Sequence, residues 1–131
     1  MAVRTFKDLG FSKWARKERV TDATLCNSVI EIEAGLIDAR LGASLLKKRV
    51  AMPGRGKSGG YRTIVAHRKG KRLFFLYGFA KNEKDNITPK EREALRALGD
   101  HYLGLSDAVL NRLVAGNVVE EVICDGEESD S

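Results

Sequence analysis

The chain has 131 residues, of which 43% are hydrophobic and 31% are charged, with a formal net charge of +5. This composition is typical of a soluble globular protein, and no apolar run approaches the roughly 20 residues that would span a bilayer. We therefore expect no membrane insertion. A chain of this length is expected to form one domain around a single core.

The positive charge is unevenly distributed along the chain. Residues 1–119 contain all 23 lysines and arginines but only 12 of the 18 acidic residues, which gives this part a formal charge of +11. The sequence therefore predicts one folded domain over residues 1–119 and an acidic, disordered tail over residues 120–131. A body with this charge attracts polyanions, and nucleic acid is the first candidate.

The two cysteines, Cys26 and Cys124, have no CxxC spacing and no histidine pair nearby. The N-terminus also lacks an apolar stretch of signal-peptide length. We therefore expect a cytoplasmic protein with reduced thiols. Cys26 lies at helical spacing from Val29 and Ile30, which predicts that it is a small core residue.

The first third of the chain is typical of a strand followed by a helical hairpin. The segment "AVRTF" alternates weakly and predicts a strand that ends by Gly10. Ser12 is predicted to cap a short helix over "KWARKE". A second helix is predicted to begin after Thr21 and to run to Leu36, because its apolar residues recur every three or four positions.

The hydrophobic period then changes from 3.6 to 2. Residues 45–51, 60–68 and 71–79 are predicted to form three antiparallel strands, with a tight hairpin turn at Lys69-Gly70. "TPKE" at residues 88–91 is a capping box with proline at the first helical position, and a further helix is predicted from Ser106 to Ala115. The predicted fold class is α+β: an N-terminal strand and helical hairpin packed on a small antiparallel β-sheet, with C-terminal helices.

Basic residues are most concentrated in the strand region. Between Lys47 and Arg72 there are ten lysines and arginines and no acidic residue. Strand alternation places Lys47 and Arg49 on one face, while Lys48 shares the apolar face or reaches out from it. Arg62 on the next strand meets the first two if the register allows. Cations clustered on one sheet face are suited to binding a phosphate backbone.

Several short motifs in this region do not fit their usual structural context. Residues 54–59, "GRGKSG", match GxGxxG, but a strand follows instead of a helix and Phe79 stands where an acidic residue is needed. "AMPGRGKS" resembles a Walker A loop but also lacks the helix. His67 and His101 have no second ligand at helical spacing. We therefore expect no nucleotide cofactor and no metal site.

The segment "KKRVAMPGRGKSGGYRTIVAHRKGKRLFFLYGFAKNEKDNI" resembles the RelE/HigB-like toxins of bacterial type II toxin-antitoxin modules, within the RelE/ParE superfamily. The "KSGGYR" and "YGFAKNE" blocks carry the resemblance. It implies a metal-independent mRNA endoribonuclease that acts at the ribosome and inhibits translation. It also implies a co-encoded antitoxin, which we expect to be a DNA-binding protein of the helix-turn-helix type.

The chemistry implied by the resemblance is attack of an RNA 2'-hydroxyl on the adjacent phosphate, which gives a 2',3'-cyclic phosphate. This reaction needs a base, an acid and cations for the phosphoryl oxygens. The catalytic residues that the resemblance implies are Arg62, as the phosphate clamp, and the lysines Lys47, Lys57 and Lys81, as candidates for the base. The implied RNA-binding residues are Lys48, Arg49, Arg55, Tyr61, Arg68, Tyr77 and Asn82.

The sequence departs from the family pattern at two positions. RelE has an arginine just after the last strand and a tyrosine near the next helix, where this chain has Asn82 and Ile87. Tyr77 or Lys81 is then the candidate substitute. Two alternatives stay open: a non-catalytic toxin of the same fold that inhibits DNA gyrase, and a nucleic-acid-binding module without toxin function.

Overall fold

A computed structural model describes residues 3–52 and 56–124, and within this part the side chains of Met52 and of residues 56–59 are not described. The described residues form six strands: β1 (Arg4–Asp8), β2 (Ala39–Arg40), β3 (Leu45–Met52), β4 (Gly56–Arg68), β5 (Arg72–Ala80) and β6 (Val119–Val122). They also form four helices: α1 (Leu9–Glu18), α2 (Asp22–Glu33), α3 (Pro89–Leu103) and α4 (Asp107–Ala115).

All six strands of the described part lie in one sheet, in the order β2-β3-β4-β5-β1-β6. Strands β2 to β5 are antiparallel neighbours, β1 runs parallel to β5, and β6 runs antiparallel to β1. The predicted α+β class and the three-stranded antiparallel centre are therefore confirmed. The sheet is larger than predicted because β2 extends it beyond β3, and β1 and β6 extend it beyond β5.

The two sheet faces carry separate apolar cores. Helices α1 and α2 cover one face, where Phe11 stacks on Phe75 with ring centroids 5.2 Å apart. Helices α3 and α4 cover the other face, where Phe74 stacks on Tyr102 at 4.8 Å. Among the described residues, none of these helices has the length and apolar character needed to cross a membrane. Burial of these rings on both faces holds the sheet rigid at its centre.

Two glycines permit unusually close packing against the sheet. A Cβ atom added at Gly78 in β5 would lie 2.3 Å from the Trp14 ring, and one added at Gly99 in α3 would lie 2.8 Å from the Cβ atom of Ala66. Any larger residue at either position would push its helix away from the sheet. These contacts fix α1 and α3 on opposite faces.

The helix boundaries confirm one prediction and correct another. Thr88 accepts a hydrogen bond from the Glu91 amide, and the Glu91 carboxylate accepts one from the Thr88 amide, so the capping box is confirmed. The prediction that Ser12 caps the first helix is wrong. Asp8 caps α1 instead, because its carboxylate accepts the Gly10 N–H, and Ser12 is buried inside the helix.

A disulfide joins Cys26 in α2 to Cys124, with their Cα atoms 5.6 Å apart. The prediction of reduced thiols and of a core residue at Cys26 is therefore wrong. Pairing of β6 with β1 carries the end of β6 back to α2, which the spacing of the two cysteines does not reveal. The folded region also continues beyond Val119 through β6, and the rest of the predicted tail, residues 125–131, lies outside the described residues.

Candidate functional site

The register of β3, β4 and β5 places basic and aromatic side chains in two adjacent rows on the α3 side of the sheet. In the first, which we call the arginine row, Arg49 lies opposite Arg62, and Arg62 lies opposite Phe79. In the second, the lysine row, Lys47 lies opposite Ile64, and Ile64 lies opposite Tyr77. Directly opposed residues point to the same face. The register that the sequence analysis required for Arg62 is therefore present.

A β-bulge in β5 changes which side chains of this strand point to the α3 side. Ile64 pairs with Tyr77 while Val65 pairs with Phe75, so Leu76 is the extra residue of the bulge. Leu76 and Tyr77 both belong to the apolar cluster on the α3 side. The bulge therefore buries Leu76 under α3 and directs the half-buried Tyr77 to the same face as Lys47.

Both arginines of the arginine row have a guanidinium N–H group that lacks a hydrogen-bond acceptor among the described residues. Arg62 is only 8% exposed, and its Nη1 atom is buried without a hydrogen-bond partner among the residues that the structure describes. Within the same part of the chain, the Nε atom of Arg49 is also buried and unpartnered. Buried N–H groups of native proteins are nearly always bonded. A phosphate group offers the acceptors that such donors lack, and one phosphodiester would offset one of the two positive charges.

Lys84 is a candidate site residue that the sequence analysis missed. Its Nζ atom lies 2.9 Å from both carboxylate oxygens of Glu91 and 3.4 Å from the Tyr77 hydroxyl. It also lies 5.4 Å from the centre of the Tyr77 ring and 5.7 Å from that of Phe79. The hydrogen bond to Glu91 raises the pKa of Lys84, so this side chain remains a cation beside Tyr77. Lys84 lies in the loop after β5, where no hydrophobic periodicity could predict which residues it contacts.

The remaining predicted catalytic residues lie at the edge of the site or have side chains outside the described part of the chain. Lys81 and Asn82 are exposed in the turn that directly follows β5. The backbone of Lys57 belongs to β4, but its side chain and the whole of Arg55 lie outside the described residues. Of the four catalytic candidates, the structure thus brings Arg62 and Lys47 to one face and places Lys81 near its end.

Three predicted RNA-binding residues lie away from these two rows. Lys48 is 5% exposed on the α2 side, where its Nζ atom binds Glu31 at 2.7 Å and the Leu36 carbonyl oxygen at 2.7 Å. Burial of the aliphatic stem and pairing of the ammonium group explain this position. The apolar-face alternative for Lys48 is therefore the one observed.

Tyr61 and Arg68 are also separated from the site. Tyr61 is 4% exposed on the α1 side, where its hydroxyl donates to a Glu18 carboxylate oxygen at 3.0 Å and its ring meets Trp14 edge-on. Alternation along β4 explains this, since Tyr61 and Arg62 point to opposite faces. Arg68 lies at the other end of β4, where its Nη1 atom donates to the Leu103 carbonyl oxygen.

The chain matches one family model, described as the RelE toxin of the RelE / RelB toxin-antitoxin system, over residues 3–122. Among curated proteins, none matches the chain. The matched span begins just before β1 and ends with β6, so it includes the arginine row, the lysine row and Lys84.

Proposed function

The chain belongs to the RelE toxin family, and we propose that it is a ribosome-associated mRNA endoribonuclease that inhibits translation. As the toxin of a toxin-antitoxin system it has a cognate antitoxin as its partner. We further propose that the antitoxin is a DNA-binding protein of the helix-turn-helix type. Because its substrate would be message on the ribosome, the proposed site of action is the cytoplasm.

The observation that carries this proposal is the unsatisfied arginine pair. Arg49 and Arg62 lie side by side, each with a buried N–H group that has no partner among the described residues. Holding two like charges together is unfavourable unless an anion compensates them. A phosphodiester of RNA is an anion of the right geometry for two guanidinium groups.

The proposed reaction follows from the family chemistry. A base removes the proton from the 2'-hydroxyl, the 2'-oxygen forms a bond to the adjacent phosphorus, and the bond from phosphorus to the 5'-oxygen breaks. An acid protonates the departing 5'-oxygen, so that the products are a 2',3'-cyclic phosphate and a 5'-hydroxyl. Negative charge grows on the phosphoryl oxygens in the transition state, and we assign its stabilisation to Arg62 and Arg49.

The acid and base roles are assigned from position. Lys47 shares the α3 side of the sheet with Arg62 and is a proposed base, as are Lys57 and Lys81. Tyr77 is the proposed acid, because its hydroxyl lies at the end of the lysine row and next to the Lys84 ammonium group. Ile87 packs with the apolar cluster of the α3 side. It therefore supplies no acid or base at the position where the family has tyrosine.

Induction of the chain in cells without its antitoxin tests the proposal. Primer extension on cellular mRNA should then reveal new 5' ends within coding regions, and these ends should disappear in the R62A variant. The matched control is R96A, since Arg96 is exposed on α3 and pairs only with Glu93 among the described residues. Intact message with DNA damage would contradict the proposal and favour a gyrase inhibitor. Intact message without growth arrest would favour a simple binding module.

A further inference from the structure

A second group of cations lies at the far end of the β4–β5 hairpin. The β4–β5 turn (residues 68–71) contains Arg68, Lys69 and Lys71, all of them exposed. Arg68 lies six positions after Arg62 along the extended strand, which corresponds to about 20 Å. These cations therefore cannot contact the phosphate that Arg62 would hold.

The turn is fixed in place from both sides. On the α2 side, both carboxylate oxygens of Glu33 accept the Gly70 N–H, at 3.2 and 3.0 Å, and one of them lies 2.6 Å from His67 Nε2. On the α3 side, Arg68 donates to the Leu103 carbonyl oxygen and Arg72 donates to the Leu105 carbonyl oxygen. The lysines of the turn are thus presented on an ordered support, which lowers the entropy cost of binding.

The acidic groups near this turn are already engaged. Glu33 is bonded to His67 and Gly70, and Asp107 pairs with Arg72 at 2.7 Å. Within residues 3–52 and 56–124, no ion pair closer than 4 Å involves Lys69, Lys71 or the exposed Arg40. The charge of Lys69 also acts on the nearby Glu33 carboxylate, but no close ion pair in this part of the chain keeps these cations from a partner.

Open clefts flank the turn on both faces of the sheet. One, of about 470 Å³, is lined by Arg40, His67 and Lys69, and the other, of about 510 Å³, is lined by Arg68 and Lys71. Neither described lining includes an exposed aromatic ring. Proteins that bind single strands stack bases on aromatic side chains, whereas duplex RNA is bound through its backbone. The chemistry of this end thus favours a duplex.

We propose that the β4–β5 turn is a second RNA-binding surface that contacts the phosphate backbone of double-stranded RNA, away from the strand that is cut. Lys69 and Lys71 supply the two central contacts, and Arg40 and Arg68 border them. The choice of RNA rests on the proposed function, because ribosomal RNA would surround a toxin at work on the ribosome. The surface adds affinity and orientation without taking part in the chemistry.

The test compares two double variants that remove the same charge. K69Q/K71Q alters the turn, and K13Q/K17Q removes two exposed lysines from α1, far along the chain from the turn. Binding to a 16-base-pair RNA duplex is measured by fluorescence anisotropy over a series of salt concentrations. Each lost phosphate contact should lower the steepness of the log-log salt dependence by about 1. We expect a change of about 2 for K69Q/K71Q and none for K13Q/K17Q.

Thermal melting establishes that both double variants are folded. If K69Q/K71Q is unstable, the single variants K69Q and K71Q replace it, and each should change the steepness of the salt dependence by half as much. Equal losses of duplex binding in the two double variants would overturn the proposal. It would also be overturned if K69Q/K71Q lost binding to poly-glutamate, an acidic polypeptide, but still bound the duplex. The latter result would identify an acidic protein partner. If the wild type cuts no message but only K69Q/K71Q loses duplex binding, the proposed function fails and this surface stands.

Discussion

Arg49 and Arg62 face each other across the β3–β4 ladder on the same side of the sheet, and each keeps a buried, unpartnered guanidinium nitrogen among the described residues. Like charges directly opposite each other in a sheet reduce stability. A single arginine in this row would be a common surface feature. Two facing arginines without an acidic partner among the described residues are a candidate site for phosphate.

The first prediction concerns the loss of Arg62. R62A should reduce mRNA cleavage by a factor of about 10² to 10³, because a preorganised donor to the transition-state oxygens is removed. The free energy of unfolding should change by less than about 1 kcal/mol, since relief of the repulsion with Arg49 offsets the lost packing of the arginine stem. Cleavage assays and thermal melting measure the two effects, with R96A as the control. A large loss of stability would indicate that Arg62 is structural.

The salt dependence of RNA binding tests the size of the cationic face. If about five cations contact a single-stranded RNA, the slope of log K against log salt should be near −3.5. R62A should make this slope less steep by about 0.7, because one phosphate contact is lost. Fluorescence anisotropy with a short unstructured RNA at several salt concentrations gives both numbers. A slope near zero would contradict the proposed role of this face.

The sequence predicted the parts of the fold that depend on local patterns. Alternation identified β3, β4 and β5, and the capping box at Thr88 fixed the start of α3 to the residue. It did not predict β6, because this strand pairs with β1 more than 100 residues earlier in the chain. It also did not predict the Cys26–Cys124 disulfide, whose two cysteines are 98 residues apart. Local propensity carries no information about such long-range pairs.

The sequence predicted part of the geometry of the candidate site. Alternation placed Lys47 and Arg49 on one face but left their meeting with Arg62 dependent on the strand register, which the structure supplies. Charge by itself did not distinguish Lys48, which is buried against α2, from its neighbours. Lys84 lies in a loop, where no periodicity relates it to Tyr77, so only the folded chain reveals their contact.

Tyr77 provides a test of the acid-base assignment. Y77F should lower the cleavage rate by a factor of about 10² to 10⁴ while RNA affinity is nearly unchanged, because the ring stays and only the proton donor is lost. Y61F is the matched control, since it removes a hydroxyl from the opposite face of the sheet. Single-turnover cleavage and anisotropy separate the two quantities. Equal rates for Y77F and the wild type would assign the acid to another group, of which Lys81 is the next candidate.

The disulfide is expected to contribute substantially to stability. It links residues 98 positions apart and anchors the end of the edge strand β6 to α2. Closing a loop of this size restricts the unfolded chain, and such bonds typically contribute about 2 to 5 kcal/mol. Dithiothreitol should therefore lower the melting temperature of the wild type. It should have no effect on C26S/C124S, which should melt like the reduced wild type, whereas equal melting with and without the reductant would refute the expected contribution.

The pH dependence of stability tests the support of the β4–β5 turn. Burial raises the pKa of Glu33, but hydrogen bonds from His67 and the Gly70 amide, together with the charges of His67 and Lys69, outweigh it and hold the net pKa below its ordinary value of 4.5. A carboxylate whose pKa is lower in the folded state stabilises the fold above the unfolded pKa. This contribution is lost as the pH falls through the lower, folded value.

E33Q isolates that contribution, because glutamine keeps a carbonyl acceptor for Gly70 but cannot ionise. The wild type should melt at a higher temperature than E33Q at pH 6 to 7, and the difference should shrink steadily as the pH falls below about 4.5. E93Q is the matched control, since Glu93 is exposed on α3 and pairs with Arg96. Its melting difference from the wild type should stay small throughout. If the melting temperature of the wild type instead rises relative to that of E33Q as the pH falls, Glu33 is neutral in the folded protein. That result would refute the ionic support of the turn.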